Sequence, residues 1–121
     1  MSKGTGRMKG QTSDRKKAKV KYPVKYYKRS KHHHIIIREN KDTNVSVGIT
    51  HSPKRGNHKN IPLEVNPNPS DSTQAYILDY PVKDRTELYE KSKRKLNIHE
   101  SDYAKVEKVG KKKPQDMSKK K

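Results

Sequence analysis

The side chains that could form a hydrophobic core are confined to the middle of this 121-residue chain. Nearly all of its Ile, Val and Leu residues lie between residues 32 and 109, and it contains no Phe or Trp. Hydrophobic residues make up only 26% of the sequence, so these aliphatic residues and seven tyrosines must supply the core. A chain of this kind can build one modest domain.

The formal net charge of +18 is concentrated at the two ends of the chain. Residues 1–31 carry +11, residues 111–121 carry +5, and residues 32–110 carry only +2. A charge of this size is typical of proteins that bind polyanions, so we expect RNA or DNA as the partner. We expect no membrane partner, because no amphipathic apolar face accompanies the lysines.

The same pattern divides the chain into three parts. Residues 1–19 have almost no apolar side chains and predict a disordered basic tail. Residues 20–110 are expected to form a small β-rich domain with C-terminal helices, and residues 111–121 a disordered Lys-rich tail. The absence of cysteine excludes disulfides and thiol chemistry and leaves the redox compartment open. No apolar run or N-terminal signal pattern stands out, which favours a cytoplasmic protein.

Short β-prone segments come first in the domain. Residues 20–26 alternate apolar and polar side chains around a proline, which predicts an edge strand. Residues 34–37 and 45–50 flank a polar turn and predict a β-hairpin. Two further short strands are predicted at residues 61–65 and 75–79.

Helical signals follow the strands. Asp84, with a Glu three residues later, predicts a short helix over residues 85–95. A second capping signal at Asn97 predicts another helix that ends at Gly110. The expected fold class is therefore α+β: a small, mainly β sheet or barrel followed by one or two C-terminal helices.

Basic residues interleaved with tyrosines form the candidate nucleic-acid surface. Their charges could pair with phosphates while the rings stack on bases; the alternative is a solvated charge run. The candidates are Lys16, Lys17, Lys19, Lys21, Lys25, Lys28 and, in a basic loop, Lys54, Arg55, His58 and Lys59.

Two further patterns concern catalysis and metals. Thr50 and Ser52 end a predicted strand beside the basic loop, where they could bind a phosphate or simply begin a turn. His51 or His58 could serve as a general acid or base near neutral pH. The consecutive histidines at 32–34 alternate sides in a strand, so we expect no metal and no other cofactor.

From about residue 28 to residue 109 the chain resembles the PemK/MazF family of endoribonuclease toxins in the order of its short motifs. These are Lys28-Arg29, His34 to Ile37, Gly48-Ile49-Thr50-His51-Ser52, Ile61-Pro62-Leu63, Tyr76-Ile77-Leu78-Asp79, Asp84-Arg85 and Leu96 to Glu100. Two features differ from the family pattern. Tyr22-Pro23-Val24 replaces its Gly-x-Val-aromatic opening strand, and His51 separates the Thr and Ser.

The resemblance implies an SH3-like barrel and metal-independent cleavage of RNA. It would make Arg29 the phosphate-stabilising arginine and would place the hydroxyls of Thr50 and Ser52 near the scissile phosphate. His51 would complete the candidate catalytic set as a proton carrier. An acidic protein partner such as an antitoxin, and a second copy of the chain in a homodimer, are the protein partners to consider.

Two functions that involve no catalysis are alternatives to this interpretation. The chain could be a DNA-binding accessory protein of a mobile element or phage. It could also be a ribosome-associated protein whose lysine-rich ends thread between RNA helices. A helix-turn-helix is not expected, because the helices come after the strands.

We predict that nucleic-acid affinity falls steeply with salt and depends on the two ends of the chain. If four to eight phosphates are contacted, a plot of log affinity against log salt should have a slope of about −3 to −7. Deleting residues 1–19 and 111–121 should remove most of the affinity. A slope near zero, or full binding by the trimmed chain, would contradict this.

Overall fold

The computed structural model describes residues 21–119, in a domain that is mainly β-sheet with one short C-terminal helix. The strands are β1 (Val24–Tyr27), β2 (His32–Glu39), β3 (Thr43–Thr50), β4 (Lys54–Arg55), β5 (His58–Lys59), β6 (Ile61–Pro62), β7 (Tyr76–Ile77), β8 (Val82–Arg85), β9 (Tyr89–Lys91) and β10 (Gln115–Asp116). The α-helix is α1 (Tyr103–Gly110), and two 3₁₀ turns cover Thr86–Leu88 and Glu100–Asp102. The predicted tail at residues 1–19 lies outside the described residues.

The main sheet is open. Its strands follow the order β10-β8-β3-β2-β1-β9, with β7 paired to the end of β3 and β6 paired to β7. Strands β4 and β5 form a separate hairpin. Within residues 21–119 no ladder joins the edge strands β9 and β10, so the SH3-like barrel is not confirmed.

The predicted hairpin is confirmed, and its first strand is buried on both faces. Strands β2 and β3 pair antiparallel, with Ile35 opposite Val47 and Ile36 opposite Ser46. Because successive side chains in a strand point to opposite faces, Ile35 and Ile36 enter two different cores. The aliphatic run in β2 therefore contributes side chains to both hydrophobic cores.

The larger core lies between the sheet and α1. Val106 and Val109 of the helix are fully buried there against Ile35 and Val47. The remaining buried members come from the N-terminal lead-in, β7 and the loops, namely Tyr22, Leu63, Ala75, Ile77 and Ile98. The helix ends at Gly110, as predicted, where an added Cβ would lie 2.9 Å from Ile37 Cγ2.

The smaller core covers the opposite face and contains Tyr27, Ile36, Val82 and Tyr89. Met117 packs against it from the C-terminal segment, where β10 pairs with β8 in parallel. Residues past the expected boundary at 110 therefore pack against the domain, and the disordered tail expected over residues 111–121 is not confirmed. The physical reason is that β8 offers an edge of unpaired backbone groups, and the Met117 amide donates to the Lys83 carbonyl at 2.7 Å.

The helix predicted over residues 85–95 is wrong. Strand β8 continues through Arg85, one 3₁₀ turn follows, and the chain then enters β9. Asp84 does not cap a helix, because its side chain is fully buried and accepts hydrogen bonds from distant residues. Pairing of β9 with β1 overrides the local helical preference.

Two other strand predictions differ in detail. Strand β1 forms at Val24–Tyr27 but lies between β2 and β9, so it is not an edge strand. Its proline is tolerated because Pro23 precedes the first paired residue. The strands expected at residues 61–65 and 75–79 are present as the shorter β6 and β7. Among residues 21–119, no helix is long and apolar enough to cross a membrane.

We predict that Ile36→Asp prevents folding, because Ile36 is 3% exposed and an unpaired charge in the smaller core would have no partner. Ile36→Val is the matched control and should lower the free energy of unfolding by only about 0.5–1.5 kcal/mol. Urea denaturation followed by circular dichroism measures both. A cooperatively unfolding Ile36→Asp variant would show that this core is misplaced.

Candidate nucleic-acid interface

A cavity of about 560 Å³, here called the basic groove, opens beside the β1–β2 turn. It lies between that turn, the loop that begins at Asn66, and the segment that follows β9. Its lining residues are Tyr26, Lys31, His32, His33, Ile49, His51, Asn66, Pro67, Asn68, Asp71, Ala75, Glu90, Lys91, Lys93, Arg94 and Leu96. Its volume lies within the range of ligand-binding clefts.

Four cations on the rim of the basic groove have no acidic partner among residues 21–119. They are Lys31, Lys91, Lys93 and Arg94. The two acids that line the groove contact other residues: Asp71 lies 2.9 Å from His51, which also lines the groove, and Glu90 lies 3.9 Å from Lys28. The groove therefore presents uncompensated positive charge to solvent.

One wall of the groove carries a pair of rings. Antiparallel register places Tyr26 opposite His33, and their rings meet edge to face with centroids 5.5 Å apart. Burial, together with the nearby charge of Arg94, lowers the pKa of His33 below its usual value. The Nε2 atom of His33 lies within hydrogen-bond distance of Ser92 Oγ, at 3.0 Å. Flat rings beside cations are the usual means of holding unpaired bases and their phosphates.

A smaller cavity of about 230 Å³, the hydroxyl pocket, adjoins the groove at His32, which lines both. Its other lining residues are Ser30, His34, Ile49, Thr50, Ser52, Lys54, Asn60 and Leu78. Two of the predicted catalytic residues, Thr50 and Ser52, meet in this pocket, and the Ser52 amide donates to Thr50 Oγ1 at 3.2 Å. Lys54 adds a positive charge from the start of β4.

Behind the hydroxyl pocket lies a buried chain of polar side chains. His34 is 3% exposed, with Nδ1 2.9 Å from Ser46 Oγ and Nε2 3.3 Å from Ser30 Oγ. Ser46 Oγ is in turn 2.7 Å from the Tyr89 hydroxyl. Burial lowers the pKa of His34 to about 3, so its ring is neutral at physiological pH. Burial also raises the pKa of Tyr89 to about 12 and keeps its phenol protonated.

Arg29, the predicted phosphate-stabilising residue, is bound to a carboxylate. Its Nε donates to Asp84 Oδ2 at 2.5 Å and its Nη2 to Oδ1 at 3.2 Å. Tyr27 also donates to Asp84, as does the Arg85 amide at 2.8 Å. Burial opposes the charge on Asp84, but the bonds from Arg29 and Tyr27 hold its pKa below the usual value.

Arg29 lines a third cavity, of about 760 Å³, and not the hydroxyl pocket. Ser30 and His34 line both cavities and therefore stand between Arg29 and the hydroxyls of Thr50 and Ser52. His51 faces the basic groove, where it contacts Asp71. The four predicted catalytic residues are thus distributed over three neighbouring cavities.

Three predicted binding lysines before β2 lie among the described residues, and all three are paired. Lys21 contacts Glu107 at 2.9 Å, Lys25 contacts Glu39 at 3.0 Å, and Lys28 contacts Glu90 at 3.9 Å. Lys16, Lys17 and Lys19 lie outside the described residues. Such exposed pairs contribute little to stability, and a polyanion could compete for the lysines.

The basic hairpin β4–β5 presents a second group of predicted residues. Lys54 is opposite Lys59, and the backbone of Arg55 is opposite that of His58. His58 contacts Asp79 at 3.1 Å, and its ring lies 5.0 Å from that of Tyr80. Within residues 21–119 neither Lys54 nor Lys59 forms an ion pair.

Sequence reasoning missed the rim cations at Lys31, Lys91, Lys93 and Arg94. The signal was present as a basic run from residue 91 to residue 95. Assigning residues 85–95 to a helix concealed it, because an exposed helix face accounts for such charges. Among residues 21–119, no three His, Asp or Glu side chains are grouped in a way that could hold a metal ion.

Comparison of the chain with protein-family models, with curated proteins and with solved structures gives no match.

Proposed function

We propose that this protein binds nucleic acid, with RNA favoured over DNA, and that the basic groove is its contact surface on the folded domain. The observation that carries the proposal is the set of four rim cations without acidic partners, facing a wall formed by Tyr26 and His33. The surplus charge at both ends of the chain supports the same function, because it adds attraction to any polyanion.

The composition of the groove favours unpaired RNA over duplex DNA. Its lining includes the partly exposed apolar side chains of Ile49 and Leu96, which can contact the apolar face of an exposed base. A base can reach them only when it is unstacked, as in single-stranded loops and ends. Duplex DNA exposes its phosphates but keeps its bases inside, so it would use only the rim.

We predict that Lys91→Ala and Arg94→Ala each weaken RNA binding and each reduce the salt dependence by about one unit of slope, as expected for one lost phosphate contact. Lys41→Ala is the matched control, because Lys41 is exposed in the β2–β3 turn and lines none of the three cavities. Fluorescence anisotropy with a labelled single-stranded oligoribonucleotide measures both quantities. Equal losses of RNA affinity in all three variants would show that the groove is not the binding surface.

A second candidate function is cleavage of the bound RNA, as the resemblance to the PemK/MazF family implies. The observation that favours it is the meeting of Thr50, Ser52 and Lys54 in the hydroxyl pocket next to the groove. In this reaction the 2′-oxygen attacks the adjacent phosphorus and the 5′-oxygen leaves. The 2′-hydroxyl loses a proton, and the leaving oxygen gains one. His51 could transfer protons from the groove side, and Lys54 could stabilise the added negative charge.

The role that the resemblance gives Arg29 would require a change of partner. Its guanidinium would have to leave Asp84, which would then remain buried and charged without its main partner. We therefore assign stabilisation of the phosphate to Lys54. The bonds from Arg29 to Asp84 stabilise the β1–β2 turn, which carries Ser30.

We predict that purified protein cleaves RNA in EDTA and leaves DNA of the same sequence intact, because the attacking group is the 2′-hydroxyl. Thr50→Val and Lys54→Ala should each slow cleavage by about 10²–10³-fold, the usual cost of one charge-stabilising donor. Lys41→Ala, at an exposed lysine that lines none of the three cavities, is the control. Product analysis on denaturing gels measures the rates, and thermal melts check folding.

If the RNA stays intact after long incubation with excess protein, the proposed cleavage activity is rejected and RNA binding alone remains as the proposed function. Preference for duplex DNA in the same assays would favour the accessory protein of a mobile element or phage. Preference for structured ribosomal RNA would favour the ribosome-associated protein. An acidic protein partner such as an antitoxin would compete with RNA for the same cations.

A further inference from the structure

We infer that the hydroxyl pocket binds a phosphate group through the Ser30 hydroxyl, and that the buried chain from Tyr89 through Ser46 to His34 sets the direction in which Ser30 donates. The inference deepens the proposed function and rests on it only for the source of the phosphate, which would be bound RNA. It gives Ser30 a binding role, and it makes His34 and Ser46 positioning residues.

The direction of the buried chain follows from counting protons. A neutral imidazole has one donor and one acceptor. In one arrangement the Tyr89 hydroxyl donates to Ser46, Ser46 donates to His34 Nδ1, and His34 Nε2 donates to Ser30. In this arrangement the protons of Tyr89, Ser46 and His34 each have an acceptor.

The reverse arrangement leaves a buried donor without an acceptor. Ser30 would donate to His34, His34 to Ser46, and Ser46 to the Tyr89 oxygen. The Tyr89 proton would then have no acceptor among residues 21–119, although the residue is only 7% exposed. Buried donors are nearly always satisfied, so the first arrangement is the stable one.

The first arrangement leaves the Ser30 proton available. Ser30 Oγ accepts from His34 Nε2 at 3.3 Å and from the His32 backbone amide at 3.2 Å. These two bonds use both of its lone pairs. No described residue accepts its own proton, and Ser30 lines the hydroxyl pocket. Ser30 also lines the third cavity, so its proton is available to an occupant of either cavity, and we place the bound anion in the hydroxyl pocket.

The rest of the pocket selects an anion as the occupant. Thr50 Oγ1 accepts from the Ser52 amide, so the Thr50 hydroxyl also has a proton to donate. Lys54 supplies a positive charge, and no Asp or Glu is among the lining residues. Several hydroxyl donors, one ammonium and no carboxylate suit the tetrahedral oxygens of a phosphate and disfavour a metal cation.

The position of the pocket makes RNA the source of that phosphate. His32 lines both the pocket and the basic groove. A strand held in the groove by its rim cations can therefore extend one of its phosphates into the pocket. The groove would hold the bases, and the pocket would fix the register of the backbone.

Gly48 keeps this arrangement possible. It lies opposite His34 in the β2–β3 ladder, and a Cβ added there would lie 3.1 Å from His34 Nε2 and 2.9 Å from Leu78 Cδ1. A side chain at this position would press on the ring nitrogen that holds Ser30. The glycine therefore makes room for the imidazole and for its bond to the serine.

The first experiment titrates full-length protein with inorganic phosphate and follows it by NMR. The amide signals of Ser30, Thr50 and Ser52 should shift together. Ser30→Ala should weaken binding by about tenfold to a hundredfold, the cost of a hydrogen bond to a charged group, and Ser30→Thr should restore it. Ser101→Ala is the control, because Ser101 is exposed and its hydroxyl contacts only His99 among residues 21–119. No shift in the pocket, or equal binding by Ser30→Ala, would overturn the inference.

The second experiment reads the His34 ring directly. Nitrogen-15 spectra of the imidazole should show the neutral form protonated at Nε2, before and after phosphate is added. A ring protonated at Nδ1 would overturn the proposed direction of the chain. The tautomer reports the direction of the hydrogen bonds, which a change in stability alone would not reveal.

The third experiment repeats the titration with a short oligoribonucleotide. Shifts of the same pocket amides would assign the phosphate to RNA, whereas shifts with inorganic phosphate alone would keep the phosphate site and reject RNA as its source. RNA binding that survives Ser30→Ala but is lost in Lys91→Ala and Arg94→Ala would reject the pocket and retain the groove. If the wild-type protein binds no RNA, the proposed function fails, and the inorganic phosphate titration still decides the pocket.

Discussion

The fully buried carboxylate of Asp84 holds together the part of the molecule that contains the basic groove and the hydroxyl pocket. It accepts hydrogen bonds from Tyr27, from Arg29 and from the Arg85 amide, and thereby ties β8 to the turn between β1 and β2. A buried charge is tolerated only when it is paired and hydrogen-bonded, so this set has to remain complete. The turn that it holds carries Ser30 into the hydroxyl pocket and Lys31 into the basic groove.

A chain with so few apolar residues needs polar groups to complete its interior. Strand β2 is buried on both faces, and the side of it that holds Ile36 also holds His34. The imidazole, Ser46 and Tyr89 satisfy one another there, so burial is achieved without an unpaired donor. The same network that fills space next to the smaller core also sets the chemistry of the pocket surface.

Positive charge is distributed unevenly over the folded domain, and the reason is the position of its acids. Lys21, Lys25 and Lys28 each lie within ion-pair distance of a glutamate. The lysines after β9 have no acid within reach among residues 21–119, because the two carboxylates of the groove face other partners. The basic groove combines these uncompensated charges with a concave surface and the two rings of Tyr26 and His33.

Local pattern was sufficient for the features that depend on neighbouring residues. The aliphatic run of β2, the polar turn after it and the stop at Gly110 predicted the hairpin and the end of α1, because side-chain periodicity and turn chemistry act over a few residues. The position of Thr50 at the end of a strand was predicted for the same reason. The sequence also determined where the surplus charge lies, since that depends only on composition.

Tertiary structure alone decided what depends on partners far apart in the chain. Asp84 has the spacing of a helix cap, but Arg29, fifty-five residues earlier, binds it inside the domain instead. Residues 89–91 were predicted to be helical, but they form strand β9 because they pair with β1. This pairing places the rim cations Lys91, Lys93 and Arg94 at the groove. Which cations remain unpaired, and which hydroxyl keeps a free proton, follow from three-dimensional distances between side chains, and no local pattern encodes those distances.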